Sequence, residues 1–389
     1  MSRLEELIQQ YCPDGVEYKH LKDVLKIKNG KDYKHLDKGL IPVYGSGGIM
    51  TYVDTPMYSK PSVLIPRKGS IDKLYYVDTP FWNVDTVFYT EIDTSKVVEK
   101  YVYYVLQKEH LEKLNTAGGV PSLTQGVLNE VLIPVPPLPV QEEIVRILDN
   151  FAELQAELQA ELQKRLQQYN YYRDKLLTFN DLNGGGYAVS VEWKKLGEIA
   201  TDWYRGAGIK RDEVSEEGIP CIRYGEIHTT YNIWFDECVS HTDENKQPAK
   251  KYADYGDILF AITSEDIPFI GNSVAYIGKE RILVGGDIVV MKHTQNPKYM
   301  SYVLSTSDAV MQKGKGKVKS KVVHTNVPSL KEIVVPIPSL EEQEKIVSIL
   351  DRFDKLTTDI TAGLPAEIEA RRKQYEYYRD KLLTFKQKI

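Results

Sequence analysis

The chain has 389 residues, of which 42% are hydrophobic and 27% are charged, and its formal net charge is −5. This length allows about two or three domains of roughly 100–200 residues, and the composition excludes a globally disordered chain. No apolar run approaches the ~20 residues of a membrane span, and the net charge by itself indicates no nucleic-acid partner, although a basic patch could be masked by acidic helices elsewhere.

Residues 1–133 are predicted to form the first of two β-rich domains. Short runs of Val, Ile, Tyr and Phe are separated by Gly, Pro, Asp and Asn, which is the chemistry of strands and turns. The runs are SVLIP (62–66), KLYYV (73–77) and TVFYT (86–90). A helix-like stretch follows at 97–114, so the simplest interpretation is an α+β domain with a twisted sheet and a late helix.

Residues 134–180 are predicted to form a long helix behind an extended proline segment. Prolines lack the backbone donor, so PVPPLP (134–139) is expected to be extended. Apolar residues then recur at steps of three or four as far as Leu177, which predicts a helix of roughly 35–40 residues, typical of a coiled coil. Within it, Ala-Glu-Leu-Gln occurs three times in succession at 152–163. We interpret this repeat as a spacer whose copy number sets the separation of the flanking domains.

Residues 181–335 are predicted to form the second β-rich domain, and residues 336–389 the second helical region. The strand-like runs are DILFAI (257–262), SVAYI (273–277) and DIVVM (287–291), and a helix-like stretch covers 297–313. In the second helical region Gly363-Leu-Pro365 should kink or break the helix. Two long helical stripes in one chain would most simply pack antiparallel on each other.

An internal duplication is the strongest signal in the sequence. The repeated pairs are QYNYYRDKLLTF (168–179) with QYEYYRDKLLTF (374–385), PVPPLPVQEEIVRILDNF (134–151) with PIPSLEEQEKIVSILDRF (336–353), and VEYKHLKDV (16–24) with VEWKKLGEI (191–199). The first pair differs at one position in twelve. The chain is therefore ordered as a variable domain, a constant helix, a second variable domain and a second constant helix.

Motifs for catalysis are missing from the sequence. There is no GxxxxGK[ST] phosphate loop, and neither an FxGxG-like strand and turn nor an Asn-Pro-Pro-aromatic motif for methyl transfer to an amino group. Asp14 and Glu17 superficially resemble a metal-nuclease pair, but such a site normally draws its carboxylates from separate strands. The seven histidines form no HxxxH pair. We expect a chain that is not an enzyme and that holds no metal and no cofactor.

The cysteines and the N-terminal sequence bear on location. Cys12, Cys221 and Cys238 lie far apart and match no metal-binding spacing. MSRLEELIQQYC is charged and amphipathic, so it is not typical of a secretory signal. We expect reduced thiols in a cytoplasmic protein.

Loops in both variable domains combine Lys and Arg with aromatic residues, Gly and Ser. Basic side chains bind the phosphate backbone, glycine allows close approach of the main chain, and Arg and Ser can read base edges. The residues predicted to contact DNA or RNA are Lys31, Tyr33, Lys34, Tyr44, Ser46, Arg67, Lys68, Ser70, Thr116, Gly118 and Gly119 in the first domain, and Tyr204, Arg205, Lys210, Arg223, Tyr224, Lys313, Lys315, Lys317, Lys319 and Lys321 in the second. The five lysines from Lys313 to Lys321 alternate with other residues, so a strand there would project all five amines to one side. For any single loop the alternative is an ordinary solvated surface loop.

The order of these motifs resembles the specificity subunit of type I restriction–modification enzymes over essentially the whole chain. The residues that carry the resemblance are the Pro-x-Pro-x-Leu lead-in, QEEIVRILDNF, the helix ending in YYRDKLLTF and the loop Gly119-Val120-Pro121-Ser122-Leu123, all before a second copy. The second copy keeps VPSL at 327–330 but has Lys-rich sequence where the two glycines stand in the first.

The resemblance implies two target-recognition domains separated by an antiparallel coiled coil. Each domain would read one half of a bipartite, asymmetric site in double-stranded DNA. The two constant helices would dock two modification subunits, which are adenine methyltransferases, and the restriction subunits would join that core. Methyl donor, ATP and metal would then belong to the partners, and no membrane would be involved.

Two other functions are left open. In one, the coiled coil makes the chain a structural adaptor that joins two protein-binding domains. In the other, the chain is a nuclease or methyltransferase that acts alone, which activity of the purified chain would reveal.

Overall fold

The structure, a computed structural model, describes residues 2–115, 121–179, 191–247, 249–317, 322–358 and 363–388. The chain forms two compact units. Unit 1 comprises Met1–Ala160 and Glu367–Ile389, and unit 2 comprises Glu161–Ala366. No described helix combines the length and the apolar character that crossing a membrane requires.

Unit 1 contains three small sheets and several helices. In chain order its elements are α1 (Arg3–Tyr11), β1 (Glu17–His20), α2 (Leu21–Val24), β2 (Leu25–Asn29), β3 (Lys38–Gly45), β4 (Gly48–Val53), β5 (Ser62–Pro66), β6 (Tyr75–Val77), β7 (Trp82–Asn83), β8 (Val87–Ile92), α3 (Glu99–Lys108), α4 (Gln125–Asn129), β9 (Leu132–Val135) and α5 (Leu138–Thr178), whose second half lies in unit 2. The strands are ordered β2-β8-β5-β6, β4-β3-β7 and β1-β9.

Unit 2 repeats this arrangement with longer sheets. Its elements are β10 (Glu192–Lys195), α6 (Leu196–Ile199), β11 (Asp202–Arg205), β12 (Val214–Ser215), β13 (Ile219–Ile222), α7 (Tyr224–Thr229), β14 (Trp234–Phe235), β15 (Ser240–Thr242), β16 (Tyr252–Ala253), β17 (Ile258–Ala261), β18 (Thr263–Ser264), β19 (Ser273–Tyr276), β20 (Ile282–Val284), β21 (Ile288–Lys292), α8 (Pro297–Leu304), α9 (Ser307–Gly314), β22 (Val323–His324), α10 (Val327–Lys331), β23 (Val334–Ile337) and α11 (Leu340–Thr358). The main strand orders are β11-β21-β17-β19-β14 and β12-β15-β13-β20-β16. The last helix, α12 (Leu364–Leu382), belongs mostly to unit 1.

The β-rich character that the sequence predicts is confirmed, because each of the six strand-like runs contains a strand. The predicted late helix of unit 1 is α3 followed by a short 3₁₀ turn at Leu111–Leu114. In unit 2 the stretch 297–313 forms two helices instead of one. Thr306 accounts for the division, since its side chain caps α9 by accepting a hydrogen bond from the Ala309 backbone N–H at 3.3 Å.

The long helix is confirmed at 41 residues, but its predicted start is wrong. Residues 134–139 were expected to be extended throughout, whereas α5 begins at Leu138 and includes Pro139. Proline is tolerated in a first helical turn because the N–H groups there have no intrahelical acceptor. In the second helical region α11 ends at Thr358 and α12 begins at Leu364, on either side of a segment (359–362) outside the described residues.

In unit 1 a carboxylate joins the late helix to α5. Asp149 accepts hydrogen bonds from the Tyr104 hydroxyl at 2.6 Å and from the Lys100 ammonium at 2.8 Å. The Tyr101 hydroxyl donates to the carbonyl of Pro134, in strand β9 just before α5, at 3.0 Å. Burial, together with the bond to Asp149, raises the pKa of Tyr104 well above its usual value.

Unit 2 builds the same joint from different residues. Asp351 on α11 accepts from the Tyr302 hydroxyl and from the Lys298 ammonium, both at 2.7 Å. The Tyr299 hydroxyl donates to the Pro336 carbonyl at 2.8 Å. The duplication seen in the sequence is therefore a duplication of side-chain contacts, which fixes each domain to its own helix in the same way.

Aromatic pairs join the long helices within each unit. In unit 1, Phe151 of α5 stacks on Tyr378 of α12 with ring centroids 5.5 Å apart. In unit 2, Tyr172 of α5 stacks on Phe353 of α11 at 6.4 Å. The two tyrosines occupy the same place in the YYRDKLLTF repeat, so this contact too is present twice.

Candidate nucleic-acid interface

In unit 1 the loops that carry predicted DNA contacts meet at one short stretch, residues 83–87, which we call the junction segment of unit 1. Three backbone hydrogen bonds tie the loops to it: Lys31 N–H to Asn83 O (2.9 Å), Val84 N–H to Tyr44 O (3.0 Å) and Arg67 N–H to Thr86 O (2.9 Å). The loops around Lys31, Tyr44 and Arg67 are far apart in sequence. The end of β7 and the start of β8 therefore hold them at one place.

A fourth loop joins the same place through Arg67. The Leu123 N–H donates to the Arg67 carbonyl at 2.8 Å, and Lys68 and Ser122 form an isolated β-bridge. Three predicted contacts of this loop, Thr116, Gly118 and Gly119, lie outside the described residues.

The side chains at this place differ in exposure. Lys31, Lys34 and Lys68 are exposed, whereas Tyr33, Tyr44, Ser46, Arg67 and Ser70 are half-buried. The Tyr75 hydroxyl donates to the Ser46 carbonyl at 3.0 Å and so holds the tip of the β3–β4 hairpin. The Arg67 guanidinium lies 5.1 Å from the centre of the Phe88 ring. Unit 1 thus presents exposed lysines around half-buried tyrosine, serine and arginine residues.

Unit 2 uses the same backbone arrangement around residues 284–288, its junction segment. The corresponding hydrogen bonds are Ala207 N–H to Val284 O (2.9 Å), Gly285 N–H to Ile222 O (2.8 Å) and Ile262 N–H to Asp287 O (3.0 Å), with Thr325 N–H to Ile262 O (3.0 Å) in the role of Leu123. The loops of the two domains differ in sequence, yet they are held by one framework.

Glycine is required at one equivalent position of this framework. Gly30 donates its N–H to Val87 O, and Gly206 donates to Ile288 O. A Cβ at Gly30 would collide with the Val84 carbonyl. At Gly206 it would collide with the carbonyl of Gly285, so in both units the loop passes close to the junction segment because it has no side chain there.

Beside the junction of unit 2 lies a pocket of about 990 Å³ that contains three arginines. Arg205 ends β11, Arg223 precedes α7, and Arg211 lies in the loop between β11 and β12. Tyr224, at the first position of α7, also lines the pocket and is 40% exposed. The pocket therefore brings together the predicted residues Arg205, Arg223 and Tyr224.

Two of the arginines are paired with carboxylates of the pocket wall. The Arg205 guanidinium donates from Nη2 to Asp287 Oδ1 at 2.6 Å and from Nε to the Gly286 carbonyl. The Arg223 guanidinium donates from Nη2 and Nε to Glu226 Oε1, at 3.2 and 3.4 Å. Arg211 is exposed, and in the described part of the chain no ion pair is recorded for it.

Tyr204, which is predicted to contact DNA, is half-buried. Its hydroxyl donates to the Tyr252 carbonyl, and its ring packs against the core that contains Val284 and Val290. Burial raises the pKa of Tyr204 to about 12. These contacts give it a role inside the domain.

The predicted row of five exposed lysines is wrong at its first member. Lys313 lies in α9 and is buried, with its ammonium donating to the Leu304 carbonyl at 2.8 Å and to Ser273 Oγ at 3.2 Å. Because α9 continues to Gly314, the chain at Lys313 is a helix, and alternate residues do not share a face. Lys315 is exposed and Lys317 is half-buried, while Lys319 and Lys321 lie outside the described residues. Lys210 is exposed, and its Nζ lies 3.9 Å from Glu213 Oε1.

Sequence reasoning missed Arg211 and the two junction segments. Arg211 ends the segment WYRGAGIKR (203–211), so its charge and its nearness to Gly206 and Gly208 were signals that could have identified it. The junction segments bind through backbone groups, which leave no such signal. Among the described residues no three of His, Cys, Asp or Glu come together to hold a metal ion.

Comparison with known families identifies two matching regions in the chain. A family model described as type I restriction modification DNA specificity domain matches residues 13–168 and 189–370. The two regions begin just before the two copies of the internal duplication, which start at residues 16 and 191, and together they span most of the sequence.

Curated relatives agree with this match. The chain is 33% identical over 319 residues to the EcoR124I/EcoR124II type I restriction enzyme specificity subunit of Escherichia coli, covering 76% of this chain and 73% of that protein. It is 31% identical over 404 residues to a putative type I restriction enzyme specificity subunit of Haemophilus influenzae, covering 98% of both.

Solved structures share the fold. The S subunit of a type I restriction–modification system from M. genitalium aligns with a TM-score of 0.51 at 17% identity, over 95% of this chain and 96% of that one. A chain from a study of complex assembly and conformational transition of the type I R-M system aligns with a TM-score of 0.57 at 14% identity, over 95% and 98%. These likenesses confirm the predicted α+β fold class, with two β-rich domains and long helices that fit a coiled coil.

Proposed function

Since the chain belongs to the type I restriction–modification specificity subunits, we propose that its two domains each read one half of a bipartite, asymmetric site in double-stranded DNA. The observation that carries this proposal is the framework shared by the two junction segments. One framework that presents different side chains suits two readers of the same ligand with different sequence preferences.

Equivalent positions of the framework show how the readers differ. Gly30 and Gly206 make the same hydrogen bond, so the residues before them, Asn29 and Arg205, are equivalent. Tyr44 and Ile222 accept the same hydrogen bond, so the residues after them, Gly45 and Arg223, are equivalent as well. Unit 2 has a guanidinium at both positions, whereas unit 1 has the Asn29 amide at the first and the glycine Gly45 at the second. Different donors at the same place favour different bases, and hence an asymmetric site.

Exposed basic residues supply the sequence-independent part of DNA binding. Lys31, Lys34 and Lys68 in unit 1 are exposed, as are Lys210 and Lys315 in unit 2. Such side chains neutralise phosphates and release counterions. Binding should therefore weaken steeply with salt even though the chain as a whole has a net charge of −5.

The repeated helical segments are proposed to dock two methyltransferase subunits. The outer tyrosines of the repeat, Tyr171 and Tyr377, are 60% and 62% exposed. Each ring has a lysine of its own helix at nearly the same distance. Lys175 Nζ is 5.9 Å from the centre of the Tyr171 ring, and Lys381 Nζ is 6.0 Å from the centre of the Tyr377 ring. Within the described residues of each unit, these rings are largely uncovered. Large exposed aromatic side chains are typical anchors of protein interfaces, so the two rings are suitable contacts for a partner. Two nearly identical exposed segments suit two copies of one partner.

In this proposal the chain supplies recognition, and the partners supply chemistry. The methyltransferase subunits would flip the target adenine out of the duplex and bind the methyl donor, and the restriction subunits, joined through them, would use ATP. The chain itself would hold no cofactor and would act in the cytoplasm, together with its partners and the DNA.

Binding by the assembled methyltransferase complex tests the proposal against the adaptor alternative. We expect salt-sensitive binding that prefers one split, asymmetric site, and we expect substitution of the exposed lysines of both domains by alanine to weaken it. An adaptor would keep both its assembly and the methylation specificity of the complex after those substitutions. Retention of both would therefore overturn the proposal.

A further inference from the structure

We propose that the arginine pocket of unit 2 recognises guanine through Arg205 and Arg223, and that Arg211 beside them binds the DNA backbone. This inference rests on the proposed function and deepens it, because it names the base that the second domain reads. It starts from the way in which the protein already holds two of the three guanidinium groups.

A guanidinium group offers two edges on which a pair of N–H groups point the same way, Nε with Nη2 and Nη1 with Nη2. In Arg205 the first edge is occupied by the Gly286 carbonyl and the Asp287 carboxylate. In Arg223 the same edge is occupied by the Glu226 carboxylate. The second edge of both groups has no partner among the described residues, and both groups line the pocket. Each arginine therefore retains a two-donor fork for a ligand.

Guanine is the base that fits such a fork. On the major-groove edge of DNA, guanine presents two adjacent acceptors, N7 and O6, whereas adenine pairs an acceptor with a donor and cytosine presents a donor. An arginine side chain donates only. Two such forks, on two residues that line one pocket, are thus complementary to guanine and leave a donor unmatched against adenine or cytosine.

The carboxylates also make phosphate a poor ligand for these two groups. Asp287 and Glu226 offset the positive charge of Arg205 and Arg223, and they would repel a phosphate that approached the same guanidinium. A neutral acceptor edge experiences no such repulsion. The pairing therefore converts two basic residues from charge contacts into directed hydrogen-bond donors.

Glu226 is held firmly enough to orient Arg223. Its side chain is 8% exposed, and it accepts hydrogen bonds from Ser240 Oγ at 2.7 Å and from the Arg223 backbone N–H at 3.0 Å as well as from the guanidinium. A donor whose rotamer is fixed before binding loses less side-chain entropy on binding. Arg223 is therefore preorganised for a directional contact.

Arg211 differs from its two neighbours. It is exposed, and no carboxylate partner is recorded for it in the described part of unit 2. An unpaired guanidinium at the rim of the pocket retains its full charge, and bidentate binding of a phosphate is its preferred contact in DNA complexes. It should contribute affinity without sequence preference.

The test uses the complex of the full chain with its methyltransferase partner. The site is first mapped by sequencing methylated adenines. Dissociation constants are then measured for duplexes that carry the mapped site, with each guanine replaced in turn by 7-deazaguanine, which lacks N7, or by inosine, which keeps N7 and O6. We expect 7-deazaguanine in one half-site to weaken binding at least about fivefold and inosine to leave the major-groove contact intact.

Variants assign the contact to its residues. Arg205→Ala and Arg223→Ala should each weaken binding to the intact site by roughly 5- to 150-fold, and each should abolish the effect of 7-deazaguanine at one guanine. Arg223→Lys keeps the charge but not the fork, so it should behave like the alanine variant. Arg211→Ala should weaken binding to every duplex alike and lower the salt slope by about one. Arg281→Ala is the control, at an exposed arginine of unit 2 that lies outside the pocket with its guanidinium 4.0 Å from the centre of the Tyr252 ring. It should leave the guanine dependence unchanged, and thermal melting of each variant shows that it is folded.

Distinct results separate this inference from its premise. If the complex is sequence-specific but folded Arg205 and Arg223 variants keep the same affinity and the same guanine dependence, the inference is wrong and the proposed function stands. If the complex shows no sequence preference at all, the proposed function fails and the inference fails with it.

Discussion

At the scale of single residues, the same side-chain type has different roles according to its partners. Lys313 and Lys315 are separated by one residue, yet the first is buried in α9 and the second is exposed. Arg211 and Arg223 line one pocket, but only Arg223 is paired with a recorded carboxylate in the described structure. The charge pattern of the sequence therefore identifies the loops that we propose to contact DNA, and local contacts decide which of their charges are available.

The buried ammonium of Lys313 predicts a measurable pH dependence. Burial among Leu304, Ser273 and Phe260 lowers the pKa of Lys313 to about 7, below its value in the unfolded chain. The folded state therefore disfavours the protonated lysine, and the resulting loss of stability is largest below pH 7 and disappears as the pH rises toward the unfolded pKa. Relative to Lys313→Met, the wild-type free energy of unfolding should rise from pH 7 to 9 by up to about 1.4 kcal/mol per pH unit.

Denaturant unfolding at several pH values measures this difference in the free energy of unfolding. The contributions of ionisable groups that both proteins share cancel in the comparison. Lys315→Met, at an exposed lysine two residues away, is the control and should show the same profile as wild type. A constant difference between wild type and Lys313→Met from pH 6 to 10 would show that Lys313 keeps an ordinary pKa.

Sequence patterns predicted the strands well and the site only in part. DILFAI and SVAYI become β17 and β19 because buried strands are local runs of β-branched and aromatic residues. The junction segments could not be predicted, since the bonds from Asn83 and Val284 to distant loops use backbone atoms that every residue carries. Lys313 was misplaced because the alternating-lysine pattern was extended back into the last residue of the predicted helix 297–313, which in the structure continues to Gly314.

At the scale of secondary-structure elements, α5 combines a packed beginning and end with an exposed middle. Ile144 and Leu148 are fully buried in unit 1, and Tyr169 and Leu177 are buried in unit 2. No residue of the Ala-Glu-Leu-Gln segment (152–163) is buried. A helix whose middle anchors no core can change length there without loss of either domain.

Deletion of one Ala-Glu-Leu-Gln unit should shorten the spacer in the recognised DNA site. Four helical residues span about 6 Å, which corresponds to one or two base pairs at roughly 3.4 Å each. We expect the methyltransferase complex that contains the deletion variant to methylate a site with one or two fewer unread base pairs and with unchanged half-sites. Methylation of a library with variable spacers measures this preference.

A substitution that keeps the helix length is the matched control for that deletion. Leu158→Ala changes the side chain of the central unit and leaves the number of residues unchanged, so its preferred spacer should equal that of wild type. Changed half-sites with a constant spacer in the deletion variant would contradict the interpretation of the repeat as a spacer.

The outer and inner tyrosines of the two helical repeats are expected to differ in the effect of their substitution. Tyr171 and Tyr377 are the outer members, whereas Tyr172 and Tyr378 stack on neighbouring helices. We expect Tyr171→Ala to weaken one methyltransferase site and the double variant with Tyr377→Ala to weaken both, each by about 1–2 kcal/mol or more. Titration of the partner, followed by the mass of the complex, measures both affinity and stoichiometry.

The inner tyrosines provide the contrast for this experiment. Tyr172→Ala and Tyr378→Ala remove the stacking contacts with Phe353 and Phe151, so they should lower the melting temperature of the chain. If the outer variants lower the melting temperature equally and leave partner binding unchanged, the outer tyrosines belong to the fold and do not form a docking surface.

At the scale of the whole molecule, duplication and divergence explain why one chain has two kinds of surface. The contacts of Asp149 recur at Asp351, and the stacking of Tyr378 recurs at Tyr172. The pocket arginines of unit 2 have no counterpart at Asn29 and Gly45. Retained helices and diverged loops are what a subunit needs if it binds two copies of one partner and reads two different DNA sequences.

Mapping of methylated adenines in DNA treated with the assembled methyltransferase complex tests this account most directly. We predict a single site with two different specified halves separated by unspecified base pairs. Replacing residues 191–335 by the equivalent domain of a relative should change one half only. A continuous or symmetric site, or a domain replacement that changes both halves, would contradict it.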